Sequence, residues 1–455
     1  MPGSFHGIGI ANSALRNLQR ALDVTGHNIA NVNNRGYTRQ VVEFQNADPT
    51  SFFANGAHSL GNGVGIASVN RIRDLFLDSR RAGASGDFGR SSTLASSLEG
   101  LEGVLNEPGS QGVSAALNRL FDAFSGLAAN PGDPAKQMEV QQAGRALASR
   151  LRGAHADATT LQSQLGSQAD ATLGRANELA AVIANLNREI TARAAEGQTP
   201  NDLLDLRDTA FEELSGLINA DSVRNSDGSM SVYVGGFPLV EGAEARSLPK
   251  NWDAATGTLT GDGVRVQVTN GRLAGLFGGI DAARNYATQL DQVANALREG
   301  INDLHRTGVA LDGTTGLNFF SGSGAGDMAL APEIASDASK IVSGTTGKRG
   351  DGDLASAMAA FRETTLAGLG GRTIEGFYRD VAARIGTDAA GAADEAEIRR
   401  SVLDQVDAQK MAVSGVSLDE EMANMLQLQR SYQAAAKTLS MFDQMTQELL
   451  ATLGR

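Results

Sequence analysis

The sequence of 455 residues contains no cysteine, only nine prolines and 5% aromatic residues. The lack of cysteine excludes disulfides, thiolate zinc sites, iron–sulfur clusters and a cysteine nucleophile. No run of 18 apolar residues is present, so we expect no helix that spans a membrane. The first 30 residues also lack a cleavable secretory signal, because Arg16 and Arg20 interrupt the apolar segment that such a signal needs.

Acidic residues outnumber basic ones, with 52 Asp and Glu against 39 Lys and Arg and a formal net charge of −13. Surfaces that bind nucleic acid or anionic membranes are basic, so we expect neither partner. The length predicts two or three domains. Without a signal peptide, the cytoplasm is the default location.

Two long segments without proline, 135–199 and 333–455, permit long helices. From about 134 to 196 apolar residues recur at steps of three and four, as in a coiled-coil seam. A further helix is predicted to end near residue 219. Residues 220–276 alternate between apolar and polar side chains with intervening turn signals, which predicts a small β-element.

Helical patterns resume at about 280–304 and occupy about 354–368, 373–386 and 394–453. The intervening stretch 312–353 is rich in Gly, Ser and Asp, which predicts a loop or a reduced insertion. The fold class we expect is mainly α: a long coiled-coil-like helical bundle built from both chain termini, with a small β-element and a reduced outer insertion.

Both ends of the chain carry apolar stripes with heptad spacing. A lone stripe cannot bury itself, so we expect the ends to pack together or against other subunits. An ordinary helical core is the alternative. The N-terminal assembly stripe consists of Ile8, Leu15, Leu18, Leu22 and Ile29. The C-terminal stripe consists of Leu418, Met425, Leu428, Tyr432, Leu439, Phe442, Leu449 and Leu453.

The sequence offers no recognisable chemistry. Its five histidines are scattered, and its glycine-rich segments lack the Lys-Ser/Thr of a phosphate loop. The segment that begins at Ser417 is interpreted as a capping box, in which Ser417 accepts from an early helix amide and Glu420 reaches back. We therefore predict no catalytic residue, no metal site, no cofactor and no enzymatic activity.

One segment, 25–40, is unusual because a helix ends in it among four asparagines and is followed by Gly36 and Tyr37. Asparagine tolerates the conformations of helix ends and turns, and its amide can satisfy terminal carbonyls. A simple helix stop explains the glycine and one or two asparagines. It does not explain Asn28, Asn31, Asn33 and Asn34 together.

The residues Asn28-Ile29-Ala30-Asn31 followed by Gly36-Tyr37 resemble the signature of bacterial flagellar axial proteins, which comprise rod, hook and hook-associated proteins. Residues 414–437 resemble the matching terminal helix of the first hook-associated protein family, the hook–filament junction proteins. Hook and rod proteins resemble the chain at both ends but have β-rich middles, whereas this middle is helical. The stretch 322–352 is too short for the outer domain that the family usually carries.

The resemblance implies a structural subunit that joins hook to filament, assembled through coiled-coil packing of its terminal helices. It implies self-assembly into a ring or short helical layer, the hook protein below, hook-associated protein 3 above and an export chaperone on the C-terminal helix. The chain is then extracellular, exported by the flagellar type III apparatus without a cleaved signal. Three alternatives remain at this point: a hook or rod protein, a cytoplasmic coiled-coil scaffold and a cell-wall hydrolase.

The resemblance also implies a domain organisation. The expected parts are an inner-tube assembly domain (1–75 and 405–455), a long-helix bundle (76–219 and 277–404), the small β-element (220–276) and a loop in place of a reduced or absent outer domain (321–353).

Overall fold

The computed structural model describes residues 3–34, 36–53, 57–105, 109 and 112–453, with the backbone alone at residues 3–5, 50–53, 57–59 and 453. Most of these residues are helical, which confirms the predicted fold class. The α-helices in the described part are α1 (Gly3–Ala30), α2 (Leu75–Leu105), α3 (Val113–Ala129), α4 (Pro134–Ala195), α5 (Asn201–Leu217), α6 (Gly271–Arg306), α7 (Pro332–Ser336), α8 (Asp353–Ala360), α9 (Ile374–Ser414) and α10 (Leu418–Leu453).

The strands form small antiparallel sheets. Their order is β1–β4, β2–β3, β5–β6–β7–β8, β11–β10–β9 and β12–β13. The strands are β1 (Gln40–Asn46), β2 (Thr50–Phe53), β3 (Ala57–Leu60), β4 (Val64–Arg71), β5 (Ala220–Arg224), β6 (Met230–Val234), β7 (Phe237–Glu241), β8 (Glu244–Ala245), β9 (Asn251–Asp253), β10 (Thr258–Gly261), β11 (Val264–Gln267), β12 (Phe320–Ser321) and β13 (Ala329–Leu330).

The chain divides into two compact units. The first unit comprises Met1–Ser85, Ala176–Leu248 and Ser401–Arg455, and the second comprises Gly86–Arg175 and Pro249–Arg400. Helices α1, α5 and α10 belong to the first unit, and α3, α6, α7 and α8 belong to the second.

The core of the second unit is formed by apolar faces of α3, α4 and α6. Helix α3 places Leu117, Leu120 and Phe124 at steps of three and four, and all three side chains are fully buried. The Phe124 ring packs against Phe319 with 5.4 Å between ring centroids. Burying a side chain of this size contributes about 1.5–3 kcal/mol, so apolar burial is a large part of what stabilises the second unit.

The segment 220–276 differs from the single β-element predicted for it. It contains two sheets, β5–β8 in the first unit and β9–β11 in the second. The first sheet is attached to α4 through Asn187, which accepts from the Met230 amide at 3.0 Å. The second is attached through Trp252, whose Nε1 donates to Asp170 at 2.7 Å. Each sheet is therefore hydrogen-bonded to a different residue of α4. The alternation of apolar and polar residues within 220–276 does not reveal these contacts.

Helix α6 begins at Gly271, about nine residues before the predicted start. The pair Asn270-Gly271 had the pattern of a hairpin turn. In the structure Asn270 is the N-cap residue, and its side-chain Nδ2 donates to Asp87 Oδ1 at 2.6 Å. Asparagine favours both turns and N-caps, so the sequence pattern did not separate the two.

Two further predictions are corrected. Residues 321–353 are not a plain loop, because they contain β13 and α7 and bury Ile334, Ile341 and Val342 in the core. The expected break between 386 and 394 is also absent, since α9 continues to Ser414. The break lies after it, where a Cβ on Gly415 would come within 2.4 Å of the Met411 carbonyl oxygen.

The side chain of His305 connects two other segments of the second unit by hydrogen bonds to Leu317 and Val342. It is fully buried, and its Nδ1–H donates to the Leu317 carbonyl at 2.7 Å while its Nε2 accepts from the Val342 amide at 3.2 Å. Burial lowers the pKa of His305 from 6.5 to about 4, opposed by the hydrogen bond to Leu317. The neutral imidazole is therefore the form that the fold requires.

We expect the second unit to lose stability as the pH falls from 6.5 to 4, because the unfolded chain then binds a proton that folded His305 does not. The difference in pKa corresponds to about 3 kcal/mol in the free energy of unfolding. Urea unfolding at several pH values, followed by the fluorescence of Trp252, the one tryptophan of the chain, measures it. His305→Gln should flatten the profile, whereas His6→Gln in the first unit should not. Equal slopes in all three proteins would contradict this account.

Candidate functional site

The two chain ends meet in the first unit as a pair of antiparallel helices, α1 and α10. Asn28 Nδ2 donates to Glu421 Oε2 at 3.0 Å. Toward the other end of the pair, a Cβ on Gly7 would come within 2.7 Å of the Phe442 ring. The same number of residues separates the two contacts on both helices, so the register is constant between them.

The predicted stripes lie along this pair but are incompletely covered. Among the α1 side chains that the structure describes, those of residues 6–30, the buried ones are small or polar: Ala11, Ala21, Thr25 and Asn28. The N-terminal stripe residues are all half-buried: Ile8, Leu15, Leu18, Leu22 and Ile29. The half-buried C-terminal stripe residues are Met425, Leu428, Tyr432, Leu439 and Phe442. Leu418 and Leu449 remain 46% and 36% exposed, and the side chain of Leu453 lies outside the described residues.

Asn28 is the centre of the contact between the ends. Its Oδ1 accepts from the Tyr37 hydroxyl at 2.6 Å and from the Gln40 amide at 3.0 Å. Its Nδ2 donates to the Gln40 carbonyl at 2.9 Å as well as to Glu421. The residue is only 1% exposed. An amide is required because the site needs two donors and an acceptor on one short side chain.

The remaining motif residues shape the turn between α1 and β1. Asn31 Nδ2 donates to the His27 carbonyl at 3.0 Å and so satisfies the end of α1. Asn34 Oδ1 accepts from the Gly36 amide at 3.3 Å. A Cβ on Gly36 would lie 2.7 Å from Thr209 Oγ1, so glycine allows the turn to approach α5. Ala30, the last residue of α1, is exposed.

Tyr37 contributes a permanent donor. Burial raises the pKa of its hydroxyl above the ordinary value of 10, and the charges of Asp202, Asp205 and Glu421 raise it further. The phenol therefore stays protonated at physiological pH and always donates to Asn28.

Arg39 neutralises the acidic first turn of α10, in which Glu421 is buried. Its Nε donates to Glu421 at 2.7 Å, and its Nη1 donates to Glu420 at 3.0 Å. Its backbone amide donates to the carbonyl of Ser414, the last residue of α9. Ser417 Oγ accepts from the Glu420 amide at 3.5 Å, as a cap does. The Glu420 carboxylate, however, turns to Arg39 instead of reaching back to Ser417 as the capping box predicted.

A cluster of buried ion pairs, which was not predicted from the sequence, supports this turn. Arg71 donates to Asp205 at 2.6 Å and to Asp208 at 3.0 Å, and Asp205 also accepts from the Thr38 amide at 3.0 Å. Arg73 pairs with Asp208. Burial lowers the pKa of Arg73 to about 10, so this side chain remains charged at neutral pH. Two features of the sequence could have revealed this cluster. Acidic residues of α5 are spaced by three, and Arg71 and Arg73 occupy alternate positions around the end of β4.

The arrangement is suited to holding the two chain ends together. Among the described residues, no three His, Asp or Glu side chains come together in a way that could hold a metal ion. In the same part of the chain, every helix is too short or too polar to cross a membrane.

Replacing Asn28 with Asp should separate α1 from α10. The change removes the donor to Glu421 and sets two carboxylates against each other in a buried site, at a cost of about 3 kcal/mol. Native-state hydrogen exchange of the α1 amides measures the loss as faster exchange. Asn33→Asp is the matched control because Asn33 is exposed. Unchanged protection in Asn28→Asp would show that this contact does not hold the ends together.

Three family models match the chain in sequence order. Residues 8–38 match the flagella basal body rod protein model, and residues 408–452 match the C-terminal model of flagellar basal body rod FlgEFG proteins. Between them, residues 98–320 match the helical domain of flagellar hook-associated protein FlgK. The terminal models include the Asn28 motif and Glu421, and the central model includes most of the second unit.

Similar proteins agree with these models. The chain is 27% identical to flagellar hook-associated protein 1 of Bacillus subtilis across 100% of this chain and 99% of that protein. It is 28% identical to the Salmonella typhimurium protein of the same name, across 69% of this chain and 59% of that protein. The flagellar hook junction protein FlgK of Burkholderia pseudomallei has the same fold, with a TM-score of 0.64 and 16% identity over 73% of this chain and all of that one. The FlgK helical-domain model, the similar proteins and the shared fold all support assignment to the family of flagellar hook-associated protein 1, and that family supports a structural role in the flagellum.

Proposed function

We propose that this chain joins the hook to the filament and assembles through its paired terminal helices. The contact between Asn28 and Glu421 carries the proposal, because it makes one unit of two segments at opposite ends of the sequence. The half-buried stripes of α1 and α10 leave apolar surface that neighbouring copies cover in a ring or short helical layer.

The proposed domain organisation follows from this role. The parts 1–75 and 405–455 form the inner-tube assembly domain, and the parts 76–219 and 277–404 form the long-helix bundle. The β-containing segment 220–276 and the short segment 321–353 complete the chain. Support comes from the position of the terminal helix pair within one unit and from the helical domain model that matches the middle.

The partners we propose are the hook protein below, hook-associated protein 3 above and an export chaperone on α10. Support for a helix-binding partner comes from the exposed apolar residues of α10, among them Met441, Met445 and Leu450, which are 57%, 58% and 65% exposed. Export through the flagellar type III apparatus without a cleaved signal fits a cysteine-free chain, since it cannot form disulfides on the way.

A hook or rod protein is the second candidate, because both terminal models carry rod-protein descriptions. The helical domain model across residues 98–320 favours the junction role. Electron microscopy of isolated flagella with a label on this chain separates the two. A label confined to the hook–filament junction supports the proposal, and a label along the hook or rod overturns it.

The variant Leu439→Glu, Phe442→Glu, Leu449→Glu should abolish filament attachment and chaperone binding, because three charges enter the apolar surface of α10. Filaments are counted by electron microscopy, and chaperone binding is measured with purified proteins. The control introduces the same three charges at Gln142, Ser149 and Ser163, which are exposed on α4. Normal filaments on cells with the first variant would contradict the proposal.

A further inference from the structure

Charges along the helix pair are separated into zones by sign. On α10 the acidic residues Asp419, Glu420 and Glu421 come first, and the basic residues Arg430 and Lys437 follow. The last two charged residues of the helix, Asp443 and Glu448, are again acidic.

The basic zone continues on the facing helix. Because the pair is antiparallel, Arg16 and Arg20 of α1 lie beside the middle of α10. The helix pair therefore has a basic middle, made by Arg16, Arg20, Arg430 and Lys437, and an acidic tail, made by Asp443 and Glu448. All six side chains belong to exposed residues, and none of them forms an ion pair within the described part of the chain.

Both zones also offer apolar surface. The acidic tail carries the exposed Met441, Met445 and Leu450. The basic middle carries the half-buried Leu15, Leu18 and Leu22 on α1. An acidic apolar segment and a basic apolar segment are complementary, but a single chain cannot bring them together because its own register keeps them apart.

This separation within one chain is large. Phe442, next to Asp443, contacts Gly7. Arg20 lies 13 residues further along α1, which corresponds to about 20 Å at 1.5 Å per residue. Two copies side by side without a shift would place basic middle against basic middle, and like charges in contact oppose association.

We propose that neighbouring copies of this chain pack with an axial shift of about 20 Å, so that the α10 tail of one copy lies antiparallel on the α1 middle of the next. Asp443 then faces Arg20, and Glu448 faces Arg16. The interface is heterologous, so it continues from copy to copy as a ring or helical layer needs. This inference rests on the proposed self-assembly and specifies its register.

Cysteine crosslinking tests the register, since the chain has no cysteine of its own. The variant Arg20→Cys, Asp443→Cys should give a ladder of covalent multimers when isolated flagella are oxidised and separated without reductant. A disulfide requires Cα atoms within about 7 Å, so the two positions cannot join within one chain. The control Asn12→Cys, Asp443→Cys moves one cysteine to another exposed position of α1 and should give no ladder.

The outcomes separate this inference from the function on which it rests. Flagella that contain the Arg20→Cys, Asp443→Cys chain but give no ladder, or a control that gives an equal ladder, overturn the register and leave the junction role intact. Absence of the unmodified chain from isolated flagella overturns the junction role itself.

Charge reversal provides a second test in cells. Arg16→Glu with Arg20→Glu should cause loss of filaments, and Asp443→Lys with Glu448→Lys should do the same. The chain with all four changes restores opposite charges across the interface and should recover filaments. A fourfold variant that is no better than either double variant overturns the proposal.

Discussion

A carboxylate can be buried in a protein only if it is neutralised and hydrogen-bonded. Glu421, with a residue exposure of 2%, meets this condition through Arg39 and Asn28, which come from the other end of the chain. Neither end satisfies its own polar groups alone. The requirement to pair this charge therefore makes the two termini fold as one structure, and the packing of α1 on α10 depends on it.

The helix pair is thin, and its apolar stripes are only half-buried. Two helices with so little buried apolar surface gain limited stability from packing alone. Polar contacts at one end and the fit of Phe442 against Gly7 at the other therefore fix the register. Because the stripes are only half-buried, apolar and charged surface remains for contacts with other copies. The feature that makes the isolated helix pair less stable therefore favours assembly. The second unit differs because its aromatic and aliphatic core is closed.

Much of this fold could be predicted because long helices leave strong periodic patterns. The bounds of α4 and the end of α1 follow from spacing, proline positions and asparagine chemistry. The two sheets within 220–276 could not be separated, because their anchors, Asn187 and Asp170, lie on a distant helix. The buried residues of 321–353 were also missed, since a short polar-looking segment shows no periodicity.

The candidate site was predictable only in part. Four asparagines in one turn exceed what a helix end needs, and this excess pointed to Asn28. Its partner Glu421 could not be identified, because it looks like any acidic residue at a helix start. The ion pairs of Asp205 and Asp208 were missed because these residues look like a solvated helix face. Burial turns these ordinary charges into ion pairs, and burial depends on tertiary contacts that one sequence does not display.

The central claim, that Asn28 and Glu421 hold the two ends as one unit, is tested most directly by a double-mutant cycle. Asn28→Ala, Glu421→Ala and the double variant are compared by native-state hydrogen exchange of the α1 amides. The account predicts a coupling of at least about 1.5 kcal/mol in the opening free energy of α1, since the two side chains are in direct contact. Effects that add to within about 0.5 kcal/mol would contradict it.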